Sequence, residues 1–142
     1  MIISTKGRYA LQMLVDLARN QGDGYISLKE IAARQDISLK YLEQIVMLLG
    51  RGEIVQASRG YLGGYRLARK PEEISIGDVL ALTEGSLAPV SCMQTRENAC
   101  DRCEDCEMLP VWEGFGRVIN NYLDGITLKD VLEGKPSGDL PL

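Results

Sequence analysis

The chain has 142 residues, 45 % of them hydrophobic, a net charge of −4 and no histidine. That composition is ordinary for a soluble domain, and the length is enough to bury roughly two thirds of the unfolded surface without staples. It excludes a histidine-based catalytic triad or a histidine-ligated metal, and no apolar run is long enough to span a bilayer.

The first helix is expected from Lys6 to Asn20, with Leu11, Leu14, Leu17 and Ala18, and with Ala10 and Met13, at helical spacing. Gly22 and Gly24 stop it. Ser27 and Glu30 form a capping-box pair that opens a short helix to Arg34. Asp36-Ile37-Ser38 is a turn, and Ser38 caps the next helix, Leu39 to Gly50. This helix, turn, helix sequence is the DNA-reading pattern. Two β-rich runs follow, Ile54–Ser58 and Tyr65–Ala68, joined by Arg59-Gly60-Tyr61-Leu62-Gly63-Gly64. Glycines there supply the positive φ of a hairpin tip, and a hairpin after a helix-turn-helix is a wing. Lys70-Pro71 closes this half. Ser75 caps a helix to Glu84, and Gly85–Cys106 reads as a loop. A long helix from Leu109 to Asp124 carries Val111, Phe115, Val118, Ile119 and Tyr122 on one stripe, with Trp112 beside it. Thr127 caps a last short helix, and Lys135–Leu142 is a frayed tail. The fold class is thus mainly α with a β-hairpin wing. It divides into a DNA-binding region (1–85), a cysteine loop (86–108), a long helix with a short one after it (109–134) and a tail (135–142).

Charge follows that division. Residues 1–70 hold 11 Lys and Arg against 6 Asp and Glu, whereas residues 71–142 hold 5 against 14. A basic first half suits a polyanion, and an acidic second half repels one. Two solvated surfaces that happen to differ would give the same counts.

On a wheel at 100° per residue, Leu39, Leu42, Ile45, Val46 and Leu49 fall on one side of the second motif helix, and Lys40, Glu43, Gln44 and Met47 fall on the other. The first set is core, and the second is what a major groove would meet. Lys40 suits a phosphate or guanine, Gln44 pairs bidentately with adenine, and Glu43 accepts from cytosine N4. Ser38 sits at the helix start, within reach of the backbone. Tyr41 lies between the faces and suits packing or a phosphate equally. Arg59, at the wing tip, can enter the minor groove and sense its width. Taken alone, the helix face also suits plain solvation, and Arg59 any surface role.

All four cysteines lie in one stretch, Cys92-x7-Cys100-x2-Cys103-x2-Cys106. The N-terminus lacks a basic stretch followed by an apolar segment, so no signal peptide is expected and the location is cytoplasmic. Disulfides are rare there, and clustered thiols point to one all-thiolate metal site. Structural zinc and unmetallated thiols also fit. The x2 spacing is that of cysteine runs wrapping iron–sulfur clusters. Gly60-x2-Gly63-Gly64 lies in a hairpin rather than ahead of a helix, so it cradles no phosphate. No catalytic constellation is present, and the chain reads as a non-enzyme.

Three segments, Ser4-Thr5-Lys6-Gly7-Arg8-Tyr9-Ala10, Ser38-Leu39-Lys40-Tyr41-Leu42-Glu43-Gln44 and Arg59-Gly60-x2-Gly63-Gly64-Tyr65, closely resemble the Rrf-two family of bacterial transcription regulators. The likeness extends over nearly the whole chain, including Ile76-Gly77-Asp78-Val79 and Ile126-Thr127-Leu128. It implies a dimeric winged-helix protein that binds double-stranded DNA at an inverted-repeat operator, with the long C-terminal helix supplying much of the homodimer contact. Within that family the chain is most similar to the IscR branch. That likeness implies a cluster on Cys92, Cys100 and Cys106, with 2Fe–2S favoured. Leu109 stands where the branch has a ligating histidine, so Cys103 is the natural fourth ligand, and all-cysteine ligation keeps 4Fe–4S open. The resulting expectation is a DNA-binding repressor that senses cluster status and controls iron–sulfur biogenesis or stress genes. A cluster-free or zinc-stapled regulator of the same family and an electron-transfer protein are the competing readings.

Overall fold

The computed structural model describes residues 2–94 and 100–134. Along them run α1 (Thr5–Asn20), α2 (Leu28–Gln35), α3 (Leu39–Arg51), β1 (Val55–Ser58), β2 (Gly64–Leu67), α4 (Ile76–Glu84), α5 (Leu109–Asp124) and α6 (Leu128–Leu132). The expected elements are all present, with ends shifted by a residue or so. The expected tail, Lys135–Leu142, and residues 95–99 of the cysteine loop lie outside the described residues.

Local chemistry sets the helix starts. Ser4, Ser27, Ser38, Ser75 and Thr127 occupy N-cap positions in extended backbone, and each side chain accepts a hydrogen bond from an N–H of the first turn. Ser27 with Glu30, Ser75 with Asp78 and Thr127 with Asp130 complete reciprocal boxes. Each cap satisfies donors that the helix itself leaves unpaired, worth about 1 kcal/mol apiece.

The core is built on α1. Ala10, Met13, Leu14 and Leu17 are buried there against Leu42, Ile45, Val46 and Leu49 of α3, Ile31 of α2, and Ile54, Val55 and Leu67 of the hairpin. Of the apolar side expected on α3, only Leu39 is incompletely covered, because it is the first residue of the helix. β1 and β2 pair antiparallel, Val55 with Leu67 through Ser58 with Gly64. Ile26, just before α2, adds a bridge to Tyr65, with N–H to carbonyl distances of 2.8 Å both ways. Gly64 permits this. Its φ is 153°, and a side chain would strike the backbone of Ile26 and Ser27. The wing is thereby stitched to the entrance of the helix-turn-helix.

The C-terminus returns to this head. Leu128 N–H donates to the Ile74 carbonyl at 2.8 Å, and Ile76 N–H to the Ile126 carbonyl at 2.9 Å. Ile126 is buried, and Leu128 joins the main core. α6 is therefore packed on the head, although the sequence sets it after α5.

Two polar ties hold the elements in register. Asp16, buried on α1, receives Arg34 Nε at 2.9 Å, Arg34 Nη2 at 2.7 Å and Gln35 Nε2 at 3.0 Å. Burial alone would raise its pKa, but these hydrogen bonds and the Arg34 charge outweigh burial and hold the carboxyl below its ordinary value. At the other end of α1, Glu84 Oε1 accepts from the Ser4 hydroxyl at 2.7 Å and the Ser4 N–H at 3.2 Å. Glu84 is the last residue of α4 and adjoins the cysteine-bearing segment.

Candidate nucleic-acid interface and cysteine segment

The core contacts of α3 fix which of its side chains remain outside. With Leu42, Ile45, Val46 and Leu49 facing α1, Lys40, Glu43, Gln44 and Met47 are all exposed. They form the polar face expected from the wheel. Ser38 is exposed and already engaged, its Oγ accepting from Tyr41 N–H at 3.1 Å. That leaves its hydroxyl proton for an outside acceptor. Tyr41 is half-buried and set edge-on to Tyr9, with ring centroids 5.7 Å apart. Most of its surface is thus used in packing, one of the two roles open to it in the sequence.

Arg59 follows β1 and is exposed. Arg66 on β2 lies 5.6 Å from the centroid of the Tyr25 ring and donates to the Asp23 carbonyl at 3.2 Å. Arg69 donates to the carbonyls of Gly52 and Glu53. The sequence reading left out Arg66 and Arg69. Their signal was the absence of any acidic residue from Ile54 to Lys70, against four cations. The basic surface therefore includes the whole hairpin.

The cysteines sit on the segment joining α4 to α5, and all four are half-buried. Cys92 lies in a 3-10 turn, Ser91–Met93, and Cys103 opens another, Cys103–Asp105. Cys103 N–H donates to the Cys100 carbonyl at 3.2 Å, and Cys106 N–H to the Cys103 carbonyl at 3.4 Å. The x2 spacing matches three-residue turns, in which residues three apart eclipse. The Cys103 thiol is held above its ordinary pKa, first by loss of water and then by the neighbouring Cys100 and Cys92 charges.

The thiols do not close into a metal-holding group. Among the described residues, no three Cys, Asp or Glu side chains gather as a metal site. One reason is visible at Cys103, whose Sγ points back to the Cys100 carbonyl at 2.6 Å. Leu109, at the position of the branch's histidine, is the first residue of α5 and supplies no donor. On either side of Cys92, Pro89 and Met93 rest on Gly116, the buried residue of α5, where a side chain would meet Pro89. A cleft of about 520 Å³ opens beside this contact, lined by Ser86, Glu113, Arg117 and Asn120 among others.

On its outer side, α5 exposes Val111, Phe115, Val118 and Tyr122 to between 39 % and 55 %, with Met108 continuing the row. Tyr122 also borders an apolar groove of about 240 Å³ between α1, α5 and α6, lined by Leu11, Val15, Leu123, Ile126, Leu128 and Val131 with others. No helix among the described residues is long and apolar enough to cross a membrane.

A winged helix-turn-helix with an exposed polar face on its second helix and a basic hairpin defines the class as DNA-binding transcription regulators. The sequence pattern of the Rrf2 family, described as an iron-dependent transcriptional regulator, matches residues 3–134. The chain is 38 % identical over 141 residues to the HTH-type transcriptional regulator IscR of Cereibacter sphaeroides, covering 95 % of this chain and 89 % of that protein. The solved structure of CymR, the global cysteine regulator of B. subtilis, superposes with a TM-score of 0.78 at 35 % identity, over 94 % of this chain and 98 % of that one. T. potens IscR superposes at 0.75 and 37 % identity, over 100 % and 93 %. The chain belongs to the Rrf2 family of transcriptional regulators and is not an enzyme.

Proposed function

We propose that this regulator binds an inverted-repeat operator as a homodimer, represses the adjoining genes, and answers to iron–sulfur status through Cys92, Cys100, Cys103 and Cys106 in the cytoplasm. The observation that carries the reading is the confinement of every thiol to the segment between α4 and α5, with Cys100, Cys103 and Cys106 spaced along successive three-residue turns. Soft thiolate donors suit an iron–sulfur cluster, so the chemistry of the donor set fits the group. When bound, the cluster supplies an oxidant-labile cross-link of that segment.

The chain's own residues carry the rest. Pro89 and Met93 seat the segment on Gly116 of α5, so its shape is felt by the long helix. Glu84, one residue before the segment begins, holds Ser4 at the start of α1, the helix on which the head is built. Both contacts connect the thiols to the reading helix through packed elements. The exposed row on α5 is the face for a second copy. Covering half-exposed side chains of this size is worth about 1 kcal/mol each. A twofold dimer presents two α3 helices to two half-sites. Lys40, Glu43 and Gln44 then face base edges, while Arg59 and Ser38 face the backbone and minor groove.

A second reading is a cluster-free regulator of the cysteine-metabolism type. It is favoured by the lack of a gathered ligand set among the described residues and by the likeness to CymR.

Anaerobic purification followed by an absorbance spectrum and iron, sulfide and zinc analysis separates the two. Visible charge-transfer bands with matching iron and sulfide support the first reading, and their ratio to protein distinguishes 2Fe–2S from 4Fe–4S. A colourless protein with one zinc per chain makes the segment a staple. A protein with neither leaves the cluster-free regulator.

A further inference from the structure

The tip of the wing breaks an ordinary rule of turn composition. Gly63 N–H donates to the Gly60 carbonyl at 3.0 Å and closes a four-residue turn, with Tyr61 and Leu62 at its two corners. Such corners usually carry Gly, Pro, Asn or Asp, which favour the bend and tolerate water. Here Tyr61 is fully exposed, at 101 %, and Leu62 is exposed at 82 %. The bend itself is made by the flanking glycines. Gly60 has a φ of 105°, and a Cβ on Gly63 would run into the backbone of Ser58, Arg59 and Gly60. The two glycines thus free the corner positions for side chains that the turn does not need. Neither side chain supports the core.

The surroundings indicate what they meet. Arg59 lies two residues before Tyr61, and the run from Ile54 to Lys70 holds four cations and no acid. An apolar pair set at the end of a basic hairpin, continuous with a DNA-reading helix, matches a duplex whose minor groove is lined by phosphates outside and sugar and base edges within. Side chains of this kind enter that groove as wedges and partly unstack a base step. Pyrimidine–purine steps yield most easily.

We propose that Tyr61 and Leu62 form an apolar wedge that enters the minor groove beside each half-site and selects a deformable base step there. The inference rests on the DNA-binding reading and adds a specificity contact to it that makes no hydrogen bond to a base.

The test uses the full chain and a duplex that it selects from a random pool, with 2-aminopurine placed at each pyrimidine–purine step flanking the half-sites. The unsubstituted protein raises the fluorescence at one such step per half-site. The double variant Tyr61→Ser, Leu62→Ser loses that rise and binds about tenfold more weakly, as loss of roughly one stacking contact implies. Its salt dependence is unchanged because no phosphate contact is lost, whereas Arg59→Ala makes the slope shallower by about one. Both corner side chains are exposed, so the double variant keeps the melting curve of the parent. If the double variant matches the parent in affinity and fluorescence, the wedge is wrong while DNA binding stands. If the variant loses only binding to phosphatidylserine-containing vesicles, the tip meets a membrane and the wedge is equally wrong. If the unsubstituted protein selects no duplex, the DNA reading falls and takes the wedge with it.

Discussion

Asp16 is the residue whose role differs most from what its place in the chain suggests. In sequence it is a lone acid interrupting the apolar run of α1. In the fold it is a buried carboxylate that receives Arg34 and Gln35 and pins α2 to α1. Asp16→Asn leaves the guanidinium without its counter-charge, and because Arg34 is partly exposed the expected loss is about 2 kcal/mol, read from urea unfolding. The pH dependence has a definite sign. The folded carboxyl titrates below its ordinary value of 3.8, so its contribution is fully present above that value and is lost as pH falls through the lower, folded value. The parent therefore loses more stability than Asp16→Asn over that acid interval. At the wing tip, Arg59→Ala is expected to weaken operator binding and lower its salt dependence, and a variant with parental affinity at moderate salt would count heavily against the wing. Glu43→Ala acts differently. Removing a carboxylate that repels phosphate but accepts from cytosine broadens sequence choice, which competition among mutated operators measures.

Among the elements, α3 was the most legible, because its period of 3.6 sorts apolar from polar side chains without reference to anything else. The same periodicity on α5 separates a stripe but does not say what covers it. The structure leaves Val111, Phe115 and Val118 about half exposed in one continuous row. Val118→Glu places a charge in that row and is expected to convert a dimer to a monomer in sedimentation, with loss of full-operator affinity and no change in α-helix content. The cysteine segment was legible only as a spacing. Its thiols follow three-residue turns, yet Cys103 turns to a backbone carbonyl, a choice that depends on side-chain rotamers and that spacing does not encode.

For the molecule as a whole, the cysteine segment and the DNA head share α1 and α4. Ser4 to Glu84 is a contact between residues 80 positions apart, and it ties the head to the point where the thiol segment leaves α4. Cys92→Ala is expected to change operator affinity in the iron-loaded protein and to leave the iron-free protein as before. Equal affinity in both forms, with and without the substitution, would remove the sensing mechanism. Glu84→Ala is expected to keep DNA binding while making affinity independent of iron loading, since it removes the tie and not the reading face. Gel-shift titrations under anaerobic conditions report both.

Sequence by itself determined the elements, the caps, the polar face of α3 and the family, because each rests on residues close together in the chain. A capping box needs four consecutive residues, a helix face a dozen, and the hairpin its own glycines. Tertiary structure decided what requires distant residues to meet. It placed Asp16 against Arg34, brought Leu128 back into the core of the first half, seated Pro89 on Gly116, and left Tyr61 and Leu62 uncovered at the wing tip. Those contacts come from packing, whose partners are set by the shape of the whole core rather than by local pattern.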